Sequence, residues 1–362
     1  MCMQHAGANR ALSTDEFGAR FLGWLNGGAI MLMISVGHRT GLLDAMGRLG
    51  GKPATSADIA FEAGLSERYV REWLGAMVTG GVVLHKRDDG TYVLPAEHAA
   101  LLTRASSPNN LAGTAQWLSV LGSVEDLVVE AFRHGKGISY EAYGERFHDV
   151  MAEESNQTTI GGLDEHILPL VPGLVERLEH GARVVDVGCG KGLAMVHLAA
   201  RFPRSEFQGV DLSRVAIEAG MREASSRGLG NVRLVTGDVT SFGQSGEFDL
   251  VTAFDAIHDQ SRPAEVLANI RRILRPGGLF LMQDIRARSA VADNMDLPLG
   301  PFTYTISCMH CMSVSLAGGG PGLGAAWGKE LALSMLEDAG FREVSVHELP
   351  HDIINLYYVC AG

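Results

Sequence analysis

The chain has 362 residues, 46% hydrophobic and 20% charged, an ordinary globular composition with room for two or three domains. Its formal net charge of −12 argues against a protein built to neutralise phosphates, and its five cysteines are too few and too scattered for a disulfide framework, so reduced thiols and a cytoplasmic location are expected, without nucleic acid as a partner. Near the start the longest strongly apolar run, AIMLMISV, falls far short of a membrane span, and MCMQHAGANR lacks the charged-then-apolar order of a leader, so no membrane partner is expected.

Residues 14–104 read as a helical unit with a small hairpin. TDEFGARFLGWLNGGAIMLMISVGHRTGLLDAM carries apolar residues at mixed spacings of three and four, with glycines that mark breaks or close helix approaches. Thr55 and Ser56 are candidate caps of a short helix, AGLS is a turn, and Ser66 caps SERYVREWLGAMVTG. VVLHKR and TYVLP flank DDG as a hairpin, completing a winged helix. Its second helix carries Glu67 and Glu72 beside Arg68 and Arg71, which offers little to phosphates, so packing or dimerisation is the expected role. Residues 105–178 read as bridging helices: QWLSVLGSVEDLVVEAF is amphipathic, and SYEAYGERFHDVMAEESNQ places Tyr140, Tyr143, Phe147, His148 and Met151 where they line either a core or an acceptor pocket.

From about residue 179 the pattern alternates between short apolar runs and helices, the mark of a parallel sheet covered on both faces. RVVDVGC, EFQGVDL, VRLVTGDV, FDLVTAFD and GGLFLMQD are the runs, and FREVSVHEL and NLYYVCAG suggest an antiparallel edge pair. VVDVGCGKG ends a strand at Asp186 and turns through Gly188, Gly190 and Gly192, letting a ligand approach the main chain. An acid before that turn suits a cationic amino group and would repel a pyrophosphate. Asp211 stands where an acid accepts both hydroxyls of a ribose, and Asp238 is placed to meet an adenine amino group with Val239 against the ring. The ligand implied has adenine, ribose and an amino-acid-like cation, without phosphate.

These runs, with FDLVTAFDAIHD and ANIRRILRPGGLFLMQD, resemble the successive motifs of class I S-adenosylmethionine-dependent methyltransferases over roughly residues 180–362. The resemblance implies a Rossmann-like seven-stranded α/β sheet of order 3-2-1-4-5-7-6, and S-adenosylmethionine held by Asp186, Gly188, Gly190, Asp211, Leu212, Asp238, Val239 and Phe254. With the winged helix, it narrows to small-molecule O-methyltransferases and bacterial winged-helix methyltransferases, which implies a homodimer formed through the N-terminal domain and a small-molecule methyl acceptor. It also implies His258 as the base, with Asp259 beside it and Asp284 orienting it; the other reading makes His258 a wall of the cofactor pocket. The family's second supporting acid has no match in register, because WGKELALSMLEDAGF offers Glu330 at a different spacing. In SCMHCM, Cys308, His310 and Cys311 have metal-ligand types, but no second pair completes a closed site, and none is expected. The stretch reads instead as a pocket lining, with Tyr304, Met309, Met312 and Trp327 making an apolar acceptor site next to the glycine-rich AGGGPGLG. The expected activity is methyl transfer to an oxygen or sulfur of a small, fairly apolar molecule. The alternatives are a thiol or metalloid methyltransferase using Cys308 and Cys311, and a cofactor-responsive winged-helix regulator.

Overall fold

The computed structural model describes residues 11–361, so the segment read above for a leader lies outside the described residues. The chain divides into two compact units, Met1–Ser123 with Asp149–Gln157, and Val124–His148 with Thr158–Gly362. The segment 105–178 is thus shared between them.

The first unit opens with α1 (Thr14–Arg39), started by a reciprocal capping box between Ser13 and Glu16. Of the expected breaks, one falls at Gly41, whose φ of +72° separates α1 from the next helix; before it the helix runs through Gly18, Gly23, Gly27 and Gly28, around which a Cβ would meet nothing. Gly37 does mark a close approach, since a Cβ there would lie 2.7 Å from the Trp73 ring. Because α1 is unbroken, it is long and apolar enough by length and composition to cross a membrane, which corrects the reading from AIMLMISV alone. Phe21, Leu22, Trp24 and Leu25 on it are each more than half exposed.

Next come α2 (Leu42–Arg48), α3 (Ser56–Ala63) and α4 (Glu67–Thr79), then the antiparallel pair β1 (Leu84–Lys86) and β2 (Thr91–Val93). Thr55 caps α3 reciprocally with Asp58, whereas Ser66 precedes α4 without lending its hydroxyl to the cap. Leu43, Ile59, Leu74 and Met77 are fully buried, and Trp73 Nε1 donates to the Met33 carbonyl at 2.8 Å, so the indole closes this core without an orphaned donor. The amphipathic run after Gln116 is two helices, Trp117–Gly122 and α5 (Glu125–His134). The aromatic segment forms α6 (Glu145–Ser155).

The second unit is built on a seven-stranded sheet. Its strands are β3 (Arg183–Val187), β4 (Glu206–Asp211), β5 (Val232–Thr236), β6 (Phe248–Phe254), β7 (Leu274–Ile285), β8 (Glu343–Leu349) and β9 (Asp352–Ala361). Their order is β5-β4-β3-β6-β7-β9-β8, parallel except for β9, which runs antiparallel to both of its neighbours. This is the order 3-2-1-4-5-7-6. Alternation explains the apolar runs: Val185, Val251 and Phe280 pack into one core, while Val184, Leu250 and Leu281 pack into another on the opposite face. Each such buried side chain contributes about 1.5–3 kcal/mol. Helices α7 (Leu193–Arg201), α8 (Arg214–Ser226) and α9 (Pro263–Ile273) follow β3, β4 and β6, and α10 (Gly300–Ile306) and α11 (Gly328–Asp338) follow β7. LRPGG is an irregularity inside β7: Leu274 faces Phe248, Leu279 faces Leu250, and Gly277 takes φ +74°. The turns after the parallel strands lie together at the sheet's C-terminal edge, where ligands bind in folds of this type.

Candidate active site

The first cluster forms at the ends of β3 and β4. Gly188 has φ +70°, and a Cβ on it would lie 2.6 Å from that of Ala256, so this position admits no side chain. Gly190 has φ +53° with open space where a Cβ would point. Its N–H donates to Asp211 Oδ2 at 2.8 Å, and Ser213 N donates to Oδ1 at 2.8 Å. Asp211 is raised above the usual carboxylate range by burial, partly offset by these two amides. Asp186 is buried and accepts from Thr252 Oγ1 at 2.7 Å; burial pushes it up to about 7. Leu212 is largely exposed beside Asp211, and Val239 is buried. Asp238 accepts from Thr240 and, at 2.5 Å, from Arg262, and the Thr240 bonds lead in holding it below the usual range.

The second cluster follows β6 and β7. Asp255 ends β6 at φ +50°, a conformation that aspartate tolerates better than most side chains. The turn it makes brings His258 over the sheet edge. His258 is buried, with Nδ1 2.7 Å from Asp284 Oδ1 and Nε2 3.2 Å from Asp259 Oδ1. Burial lowers its affinity for a proton, but the Asp284 and Asp259 carboxylates outweigh that and hold it well above the ordinary histidine value. Asp259 is drawn below its usual value, the His258 charge overcoming burial. Asp284 Oδ1 also accepts from Ile285 N at 2.8 Å and from Trp327 Nε1 at 2.9 Å. Its Oδ2 is buried without a partner.

The SCMHC stretch, Ser307–Cys311, is a π-helical turn between α10 and the helix Met312–Ala317. It puts His310 and Cys311 inward. Cys311 Sγ, Asp259 and His258 offer ligand-type atoms within 4.8 Å of one another, and Cys308 does not join them. Burial pushes the Cys311 thiol up to about 12 and pulls His310 down to about 4, so this wall is neutral at physiological pH. The His310 ring lies 4.7 Å from Phe147 and 4.9 Å from Tyr143, whose hydroxyl donates to the Met309 carbonyl at 2.7 Å. The Tyr140 ring lies 4.8 Å from that of His148, tilted by 45°, near the charges of Asp211 and Asp259. Met312 is half-buried, with its Cγ 3.3 Å from where a Cβ on Gly322 would stand. Tyr304 is tied elsewhere: Asn294 Nδ2 donates to its hydroxyl at 2.9 Å. The glycine-rich stretch makes tight approaches, since a Cβ on Gly320 would lie 2.5 Å from the Ser261 backbone.

Sequence reasoning missed Asp255, which burial pushes well above the carboxylate range, and Gln283, which donates to it at 2.9 Å. Both stand at strand ends, and that position was the available signal.

Two family models match the chain: an Rv2258c-like winged HTH domain over residues 28–104 and a methyltransferase domain over residues 178–340. The chain joins a winged-helix domain to a methyltransferase domain. Curated relatives match about a third of the chain. The trans-aconitate 2-methyltransferase of Deinococcus radiodurans is 34% identical over 130 residues, 34% of this chain and 48% of that protein. The fatty-acid O-methyltransferase of Mycolicibacterium smegmatis is 35% identical over 109 residues, 30% of this chain and 39% of that protein. The chain therefore spans less than half the length of these relatives. Among solved structures, human N-acetylserotonin methyltransferase in complex with SAM is similar with a TM-score of 0.69 and 15% identity, over 97% of this chain and 99% of that one. At that identity the likeness is one of fold. The residue types gathered here fit S-adenosylmethionine: the buried acids Asp186 and Asp211, the bare glycine backbone at Gly188 and Gly190, and the apolar Leu212 and Val239.

Proposed function

We propose that the chain transfers a methyl group from S-adenosylmethionine to an oxygen or sulfur of a small, fairly apolar molecule. Asp186, Gly188 and Gly190 would hold the amino-acid end of the cofactor, Asp211 the ribose, and Leu212, Asp238, Val239 and Phe254 the adenine side. When bound, the sulfonium supplies an electrophilic methyl group. The chain's own residues then position the acceptor and take its proton.

The observation that carries this reading is the 2.7 Å bond from His258 Nδ1 to Asp284. Once deprotonated, and with its N–H committed there, the imidazole turns its Nε2 lone pair to the other side, where Asp259 Oδ1 stands 3.2 Å away. An acceptor hydroxyl or thiol becomes a stronger nucleophile as its proton passes to Nε2, and Asp284 and Asp259 offset the charge that forms. Tyr143, Phe147, His310, Met309 and Met312 give the acceptor side its apolar and soft character. Because transfer removes the cofactor's charge, orientation carries much of the rate.

We also propose a cytoplasmic homodimer formed through the N-terminal domain, with the exposed apolar side chains of α1 covered by a second copy rather than by a membrane. Nucleic acid is not among its partners in this reading. Arg68 and Arg71 of α4 are paired with Glu72 and Glu67 of the same helix, which supports it. A second reading, thiol or metalloid methylation, is favoured by one observation, the approach of Cys311 to His258 and Asp259.

The test is release of S-adenosylhomocysteine from S-adenosylmethionine against phenols, carboxylic acids, thiols and arsenite. Turnover with a phenol, acid or thiol is expected. Cofactor binding with no turnover on any acceptor would overturn the enzyme reading in favour of a regulator.

A further inference from the structure

Three N–H groups converge on one oxygen of Asp284, from His258 Nδ1, Ile285 N and Trp327 Nε1, while the other oxygen has no partner. The residue that the family resemblance leads one to seek here is a second acid at the start of α11. Glu330 does not serve: its oxygens go to Ser289 N at 2.9 Å and to Arg288, and its side chain is 46% exposed. Trp327 stands three residues earlier, immediately before α11, with its ring only 4% exposed.

We propose that Trp327 is a positioning residue that holds Asp284 against His258 through its indole N–H. This inference rests on His258 being the base. The chemistry of this contact is distinctive. A second carboxylate would add negative charge beside the imidazole; an indole N–H fixes the first carboxylate and draws off part of its charge. His258 already faces Asp284 on β7 and Asp259 on its own turn, with Cys311 on the π-helical turn also close; Asp255 lies near, and His310 is kept neutral by burial. Tyr358 of β9 feels the charges of both Asp284 and Glu330. In that acidic setting an additional carboxylate would lock the imidazole in its charged form, whereas a hydrogen-bond donor on Asp284 leaves it able to cycle.

The experiment replaces the N–H and keeps the ring. In Trp327→Phe, and in a chain carrying β-(3-benzothienyl)alanine at 327, which has tryptophan's shape without the N–H, His258 is titrated by NMR on histidine-labelled protein. The acidic limb of kcat is measured in parallel. The expected result is a limb and a His258 titration both moved to higher pH by about one unit, so that kcat below the limb falls about tenfold. KM for the acceptor and the affinity for S-adenosylhomocysteine should stay within about twofold. The isosteric chain covers the case in which Trp327→Phe fails to fold. An unmoved His258 titration in a folded variant overturns the proposal. A moved titration with activity that survives His258→Ala overturns the base reading and leaves the Trp327 link standing.

Discussion

Replacing Asp284 by Asn removes one charge from beneath His258 and almost no volume. In the native site Asp284 Oδ1 receives Nδ1 of His258 at 2.7 Å with both side chains buried, a charge-assisted bond worth about 1.5–3 kcal/mol. If that energy is realised as the imidazole takes up its proton, its loss lowers kcal-scale stabilisation of the charged form and cuts kcat by about 10- to 150-fold. The amide oxygen can still accept from Trp327 and Ile285, so acceptor KM and cofactor affinity should change little. The sign of the pH effect follows from the raised proton affinity of His258. The acidic limb of activity should move down toward about 6.5 in the variant. The pair's contribution to stability is complete below that unfolded-state value and fades as pH rises through the raised folded value. The stability gap between wild type and Asp284→Asn should therefore be widest at the acidic end and close with rising pH. Stopped assays across pH 6 to 9, as an approximate window about the histidine range, together with thermal melts, measure both. A kcat within twofold of wild type with the limb unmoved would refute the reasoning.

Three further outcomes are expected. Burial holds Asp186 up to about 7, so affinity for S-adenosylhomocysteine, which keeps the ammonium, should weaken as pH falls below that value and approach a tenfold loss per unit; a flat calorimetric profile through neutrality in the wild type would contradict the assignment. Phe21→Glu with Trp24→Glu places charge on the exposed side of α1 and should convert a dimer to a monomer by light scattering with the fold intact, whereas a monomeric wild type removes the interface and vesicle flotation of the wild type would favour a membrane instead. Cys308→Ser with Cys311→Ser should lower turnover less than tenfold; abolished turnover with cofactor binding intact would raise the thiol or metalloid reading.

Much of the second unit was legible because its physics is written locally. Strands buried on both faces must be apolar throughout, and the acids Asp186 and Asp211 stand at the C-terminal ends of β3 and β4. The hairpin after α4 was equally plain from DDG. The unbroken length of α1 was not, because glycine is a weak helix former and no local rule shows that Gly18, Gly23, Gly27 and Gly28 are tolerated inside it. Ser66 marked a helix start without supplying the cap. The inward turn of Cys311 and the indole bond from Trp327 to Asp284, 43 residues apart, are long-range facts. Sequence could mark those residues as chemistry-bearing, but only the packing of Ser307–Cys311 and α11 around β7 joins them to His258.

In the proposed reaction His258 takes the acceptor's proton. The most direct measurement is single-turnover methyl transfer by wild type and His258→Ala, loaded with S-adenosylmethionine and mixed with an acceptor found in the panel. The expected result is a rate at neutral pH lower by about 100-fold or more in the variant, cofactor affinity unchanged, and partial recovery at a pH where the acceptor ionises unaided. A variant that transfers the methyl group at the wild-type rate would make His258 a wall of the pocket and contradict the account.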